Sequence, residues 1–374
     1  MIKVLSVFGT RPEAIKMCPL VKEMEQDPRI ESVVCLTGQH REMLTQVMEA
    51  FQVQARYNLD IMRQRQSLYT ITADILTAIQ PVLEKERPDL VLVHGDTTTA
   101  FTAALAAFYQ KIDVGHVEAG LRTYDKYSPF PEEMNRTLIS RIARLYFAPT
   151  EQNRENLARE GIADGVFVTG NTVIDAFKTT IREGYVFENP VLAGYDFSAG
   201  RTVLVTAHRR ENLGKPLESI CRAILETVER FPDIRVIYPV HLNPAVREPV
   251  QRLLGGQERI LLIDPVNVLD MHNLIARSYL VLTDSGGLQE EVPHFGIPVL
   301  VLREETERPE AVAAGVVRIV GTDQKVIARS AAELLTDPAA YERMSRGANP
   351  YGDGQASRRI IDAIVRTYPE KADS

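Results

Sequence analysis

Three acids in this chain stand where a strand would end and a helix begin. Asp96 follows His94-Gly95, Glu118 closes the short apolar run Val114–Val117, and Glu132 follows Ser128-Pro-Phe-Pro131. Carboxylates whose environments tune them differently form a proton-shuttling arrangement. A Glu at the end of an apolar strand, set between the glycines of Gly115-His-Val-Glu118-Ala-Gly120, is expected to be partly desolvated. That raises its proton affinity toward acid–base work. Plainer readings stand beside this one. Asp96 could cap the following helix, Glu118 could pair with Arg122, and Glu132 with Glu133 could complement a helix dipole.

Cations occupy matching places. In Gly9-Thr-Arg11-Pro-Glu-Ala-Ile-Lys16 the glycine allows a tight turn and Pro12 suits the first helical turn. Arg11 and Lys16, five residues apart, can both return to the strand tip, where helix-start amides favour an anion. Thr206-Ala-His208-Arg-Arg-Glu-Asn212 ends another apolar run with a cationic cluster, and Glu307-Arg308-Pro-Glu310 repeats the Arg-Pro-Glu pattern. Asp284-Ser285-Gly286-Gly287-Leu-Gln-Glu-Glu291 reads as strand, glycine turn and helix. Its amides and hydroxyl suit a diphosphate, Glu291 is one turn away for a ribose diol, and Arg308 can reach the same phosphates. Neither GxGxxG nor GxxxxGK[ST] occurs, so a dinucleotide fingerprint and a Walker loop are both missing. The histidines show no metal-ligand spacing, and the expected metal content is none.

The chain has 374 residues, 45% hydrophobic and 25% charged, enough for two globular domains. A net charge of −7 argues against general nucleic-acid binding, whose footprint is strongly basic. Cys18, Cys35 and Cys221 are odd in number and far apart, as expected for free thiols in a reducing cytoplasm. No window approaches 18 uninterrupted apolar residues, so no membrane span is expected, and the first apolar run is too short for a signal peptide.

Short β-branched runs alternate with helical patterns through two series. The first opens with a strand at 2–8 and a helix at 14–26, and the second with a strand at 202–206. Unbroken apolar strands separated by helices predict parallel sheets covered on both faces. The fold class expected is therefore α/β: two Rossmann-like, doubly wound domains, 1–182 and 202–354, with a ligand cleft between them. Residues 183–201 are expected as a linker region, and a last amphipathic helix spans about 356–368.

At this point the motifs resemble one family closely. GTRPEAIK at 9–16, HGDTTT at 94–99, GHVEAGLRT at 115–123, FPEEMNR at 130–136 and TGNTVID at 169–175 are similar to those of non-hydrolysing bacterial UDP-N-acetylglucosamine 2-epimerases. So are AHRREN at 207–212, YPVHLNP at 238–244, TDSGGLQEE at 283–291, ERPEA at 307–311 and NPYGDGQAS at 349–357. The resemblance implies a GT-B fold whose terminal helix, 356–374, crosses back to the first domain. It also implies a cytoplasmic homodimer, and interconversion of UDP-GlcNAc and UDP-ManNAc for surface polysaccharide with no cofactor, neither NAD nor metal. Alternatives within reach of the same motifs are an epimerase of diacetamido-uronate sugars, a hydrolysing 2-epimerase, a GT-B glycosyltransferase and a nucleotide-sugar sensor.

By the same resemblance Asp96, Glu118 and Glu132 carry protons on the two faces of the sugar, and His208 serves the leaving diphosphate. Arg11, Lys16, Arg136, Ser285, Gly286, Gly287, Glu291 and Arg308 bind substrate. Val266 and Met271 stand where some members place Gln and Phe beside the uracil. A second, regulatory UDP-GlcNAc site would draw on Gln39, His40, Arg65 and His241; Glu42 occupies a position where regulated members carry Gln.

Overall fold

The computed structural model describes residues 1–38, 41–61, 63 and 66–372, the side chains of residues 41–43 aside. The chain divides into two compact units, Met1–Thr179 with Tyr351–Ser374, and Thr180–Pro350.

In the first unit seven parallel strands form one sheet: β1 (Ile2–Phe8), β2 (Ile30–Leu36), β3 (Tyr57–Asn58), β4 (Leu90–His94), β5 (Asp113–Val117), β6 (Leu145–Ala148) and β7 (Val166–Val168). Their order is β3-β2-β1-β4-β5-β6-β7. The chain winds outward one way from β1, then crosses back and winds the other way from β4. The loops after β1 and β4 therefore diverge at the sheet's carboxyl edge, where such folds bind ligands. Leu5, Val7, Val33, Val91 and Val93 pack under Ala100, Ala103, Ala104 and Ala107 of the helix Thr98–Tyr109. Small residues on that helix face let it sit close to the strands.

The second unit repeats the plan with six parallel strands: β8 (Arg201–Thr206), β9 (Ile234–Pro239), β10 (Ile260–Ile263), β11 (Leu280–Thr283), β12 (Val299–Val301) and β13 (Val317–Ile319), in the order β10-β9-β8-β11-β12-β13. Its core joins Val203, Val205, Val236 and Tyr238 to Ile220, Ile224 and Val228 of the helix Lys215–Arg230. Here the loops after β8 and β11 diverge. The α/β class and the doubly wound parallel sheets agree with the expectation from sequence.

Three details depart from it. Residues 183–201, expected as a linker, belong to the second unit. The buried Asp270 carboxylate accepts from the Tyr185 hydroxyl (2.8 Å) and from the amides of Glu188 (2.9 Å) and Asn189 (2.8 Å), while Arg277 lies over the Phe187 and Phe197 rings. The helix Thr172–Thr180 and the two-residue β3 were not anticipated from periodicity. The returning helix Ala356–Thr367 takes its N-terminal cap from a distant residue: Asp175 accepts from the amides of Ala356 (3.1 Å) and Ser357 (2.9 Å), since Gln355 supplies no side-chain cap. Among the described residues no helix is long and apolar enough to cross a membrane.

Candidate active site

The carboxyl edge of the first sheet gathers the loops after β1, β4 and β5. Thr10 and Glu13 form a capping box at the start of the helix Arg11–Gln26. Buried Glu13 does more than cap. Its carboxylate accepts from the amides of Gly9 (3.0 Å) and Thr10 (2.8 Å) and from the Thr97 hydroxyl (2.6 Å), tying the loop after β1 to the loop after β4. Gly9 is required at this junction, because a Cβ there would lie 1.9 Å from Thr37 Oγ1.

Glu118 is buried and its φ of 65° lies in the left-handed region. That conformation is uncommon away from glycine and concentrates where function over-determines the backbone. Its Oε2 accepts from Lys16 Nζ and from Asn171 Nδ2 (2.9 Å), and lies 3.6 Å from His94 Nε2. Burial pushes the carboxyl's proton affinity up, but Lys16 and His94 outweigh it and hold Glu118 well below the ordinary carboxylate range. The expectation of a raised value is therefore corrected: the sequence showed the desolvating strand, not the cation that compensates it. Arg122 does not pair with Glu118; it is taken by Glu160 at 2.6 Å. Neighbouring His116 donates from Nε2 to the Gly95 carbonyl at 2.7 Å, and complete burial lowers its proton affinity to about 3, so its ring is neutral.

Asp96 does not cap the following helix; Thr97 does, accepting from the Ala100 amide. Instead Asp96 receives Arg136 from the helix Glu132–Ile142, and its own carbonyl accepts from Asn135 Nδ2 at 2.8 Å. Glu133 accepts from the amides of Thr123 (3.1 Å) and Tyr124 (3.0 Å), fixing the loop that leads to Glu132. The peptide bonds before Pro129 and Pro131, in the segment that leads to Glu132, are both cis. Glu132 opens its helix, and its buried Oε2 has no hydrogen-bond partner among the described residues.

The second sheet's carboxyl edge is built around a buried acid that sequence inspection passed over. Asp284 follows β11 and is inaccessible to solvent. Its Oδ2 accepts from the amides of His208 (2.7 Å) and Arg209 (2.8 Å) and from Asn212 Nδ2 (3.0 Å), clamping the loop after β8 onto the loop after β11. The His208 ring lies 3.5 Å from Asp284 Oδ1 and stacks on His241 at 5.5 Å between centroids. Burial lowers its proton affinity despite Asp284. A Cβ on Gly286 would stand 3.4 Å from the Arg308 guanidinium carbon and 3.6 Å from Arg209 Nη2, so two guanidinium groups flank the Ser285-Gly286-Gly287 turn. The helix behind that turn, Gly286–Glu291, has only six residues. Positive charge here comes from the two arginines more than from a helix dipole. Arg308 is held by the buried Glu290 at 2.7 Å and by Glu307 at 3.0 Å. Glu291 lies 3.5 Å from His272 Nε2.

The first unit thus brings together Lys16 and Glu118, and Arg136 and Asp96, with Glu132 on the same helix as Arg136 and Arg11 opening the helix that carries Lys16. The second unit brings together His208, Ser285, Gly286, Gly287 and Arg308. Val266 is buried and Met271 half-buried, in the loop and first turn after β10. Of the residues expected at a regulatory site, His241 lies against His208, while Gln39, His40 and Arg65 fall outside the described residues. Sequence reading did not single out Glu13, Asn171, Arg209, Asp284 or Glu290, although each lies inside or beside a quoted motif. Among the described residues no group of three or more His, Cys, Asp or Glu is placed to hold a metal ion.

Comparison with known proteins bears on all of this. The family model for UDP-N-acetylglucosamine 2-epimerase matches residues 22–365. The UDP-N-acetylglucosamine 2-epimerase of Bacillus subtilis is 54% identical over 370 residues, covering 98% of this chain and 96% of its own. That of Escherichia coli K12 is 52% identical over 369 residues, covering 97% and 98%. The crystal structure of the Neisseria meningitidis UDP-GlcNAc 2-epimerase bound to UDP-GlcNAc matches with a TM-score of 0.90 at 48% identity, covering 98% of this chain and all of that one. This chain belongs to the UDP-N-acetylglucosamine 2-epimerase family.

Proposed function

We propose that this protein interconverts UDP-GlcNAc and UDP-ManNAc by eliminating UDP and adding it back. The observation that carries the reading is the buried, ionised Glu118 held by Lys16 in the first unit, together with the arginine-flanked glycine turn of the second, in a chain of this family.

The hydrogen on carbon 2 of the sugar is barely acidic, and direct abstraction would be slow. Breaking the bond from carbon 1 to the diphosphate oxygen makes it removable. The carbon–hydrogen pair becomes the new carbon–carbon double bond, the carbon–oxygen pair leaves with UDP, and 2-acetamidoglucal results. A proton then arrives at carbon 2 from the opposite face while the diphosphate oxygen returns to carbon 1. Two faces need two proton carriers. Glu118, ionised at neutral pH, suits acceptance of a proton, with Asp96 and Glu132 as the further carriers. Arg308, Ser285, Gly286, Gly287 and His208 serve the leaving diphosphate, whose charge grows as the bond breaks. Lys16 and Arg11 add positive charge from the first unit. Glu291 serves the ribose, and Val266 and Met271 offer apolar contact to the base.

The test is proton NMR with UDP-GlcNAc in deuterated water. UDP-ManNAc with deuterium at carbon 2 of both sugars is expected; free ManNAc with UDP would move the protein to hydrolysing chemistry instead.

The first unit also supports a homodimer. Tyr69, Phe108 and Tyr109 are exposed on the helices Leu68–Glu86 and Thr98–Tyr109, which flank a groove of about 590 Å³ that mixes Leu76, Ala106 and Tyr109 with Thr77, Gln80, Glu84 and Gln110. A patch of this kind on a surface is where a second copy would pack. Sedimentation should give twice the chain mass, and Phe108→Glu should give monomers.

A further inference from the structure

Glu118 has two oxygens, and its neighbours treat them differently. Oε2 takes Lys16, Asn171 Nδ2 at 2.9 Å and, at 3.6 Å, His94. Oε1 has no hydrogen bond among the described residues. It lies 3.6 Å from where a Cβ on Gly95 would stand, so the glycine keeps its flank open.

We propose that Asn171 is a positioning residue for Glu118, fixing Oε2 so that Oε1 is the atom that exchanges a proton with carbon 2 of the sugar. This rests on the reading of Glu118 as a proton carrier.

Asn171 is suited to the task because its own orientation is fixed. It is buried at 3% exposure. Its amide N–H donates to the Tyr351 carbonyl at 2.7 Å, and its Oδ1 accepts from the Val173 amide at 3.0 Å. With Oδ1 committed to an N–H donor, the other end of the side chain must be the NH₂ group, so the amide cannot flip. An amide has no proton to lose over the working pH range. It therefore keeps Oε2 occupied by a donor at every pH, and a proton arriving at Glu118 goes to Oε1. Lys16 from the helix Arg11–Gln26, His94 at the end of β4 and His116 on β5 are the titratable groups facing this carboxylate. Among the described residues only Lys16 and Asn171 donate to Oε2 within hydrogen-bond distance, and of those two only Asn171 lacks a charge that a bound diphosphate could draw away.

The contact also joins Glu118 to the returning chain, since the Tyr351 carbonyl that holds Asn171 opens the segment Tyr351–Ser374.

Two substitutions separate positioning from folding. Asn171→Ser keeps a hydroxyl for the Val173 amide but is too short to reach Glu118. Asn171→Asp keeps the Oδ1 acceptor and sets a carboxylate against Glu118. The readouts are deuterium wash-in at carbon 2 and the pH profile of kcat/KM, with UDP binding and melting temperature alongside. For Asn171→Ser the acid limb should rise by about one to two pH units, the worth of one hydrogen bond to a charged group. kcat should fall about ten-fold as Glu118 loses its orientation, with KM and UDP binding unchanged. Asn171→Asp should shift the limb further, and it carries the test if Asn171→Ser does not fold. A wild-type pH profile and wash-in rate in both variants, within an active protein, overturns the assignment of Asn171 alone. A wild-type protein that neither epimerises nor exchanges overturns the functional reading with it.

Discussion

The two sheets share one winding and place opposite charges at the front of it. At the edge of the first sheet the cations lie deep: the Arg136 side chain is 7% exposed against 24% for its partner Asp96, and Lys16 is buried about as far as Glu118, 11% against 9%. At the edge of the second sheet the buried member is the acid. Glu290 is 2% exposed against 11% for Arg308, and Asp284 is inaccessible against 42% for His208. A buried charge is tolerated only with a partner, so each buried group fixes the sign of what is presented in front of it. The first unit presents carboxylates supported from behind by cations. The second presents cations supported from behind by carboxylates. Proton transfer and anion binding thus come from the same frame, and the fold alone decides neither.

The largest effect that would break this contrast is at Glu118. Glu118→Gln keeps the shape and the contact with Lys16 but cannot exchange a proton. Turnover should fall by a factor on the order of 10³, within the usual worth of a general acid–base group, while UDP affinity stays within about two-fold. Turnover near wild type would remove Glu118 from the proton carriers. The pH profile sharpens the same point. Lys16 and His94 lower the carboxyl's proton affinity, so the ionised form persists to lower pH. The acid limb of kcat/KM in the free enzyme should therefore lie below about 4.3, the ordinary Glu value. A limb near pH 6 would mean that the cations do not govern this carboxylate in solution.

Next in size is Arg308, the counterpart in the second unit. Arg308→Ala removes a guanidinium beside Gly286 and takes from the buried Glu290 its partner at 2.7 Å. UDP binding should weaken about ten- to a hundred-fold, as for loss of a charged hydrogen bond. Arg308→Ala, Glu290→Gln should recover folding stability but not affinity, because the buried charge that Arg308 faced is gone while the anion's partner is still missing. Recovery of both would show that Arg308 serves the fold and not the ligand.

The sequence displayed what is local. Apolar runs marked most strands, and the loops carrying Asp96, Glu118, His208 and Ser285 were visible from residue type and neighbours, although the helix caps fall on Thr10 and Thr97 and not on Asp96. What stayed hidden is mostly long-range. Lys16 and Glu118 are 102 positions apart, and Asp284 reaches back 76 positions to the His208 amide. No local pattern tells which cation a buried acid meets, so the direction in which Glu118 is shifted could not be had from its strand alone. Asn171 and Glu290 were hidden for the same reason, although both lie inside motifs recognised by resemblance. The helix Thr172–Thr180 was missed on local grounds: it has only nine residues, and several are β-branched, which lowers helix propensity.

The smallest effect tests whether the glycine turn of the second unit is built for the fold or for an anion. Ser285 sits at the N-cap of Gly286–Glu291, the place where a serine side chain normally accepts from the helix's own amides. Here it makes no side-chain cap hydrogen bond. Its backbone amide is occupied by the Thr283 hydroxyl at 2.9 Å and its carbonyl takes Gln289 at 3.3 Å, so the backbone is held without help from its hydroxyl. Replacing an N-cap serine by alanine usually costs about 1 kcal/mol. If the hydroxyl is kept for ligand, Ser285→Ala should leave the melting temperature within about 1 °C, since the cap bond it would remove is not made. UDP affinity should fall about three- to ten-fold, the worth of one neutral hydrogen bond. Calorimetry of both proteins with UDP decides between the two uses. A lowered melting temperature with unchanged affinity would assign Ser285 to the helix, and the second unit's anion site would then rest on its arginines.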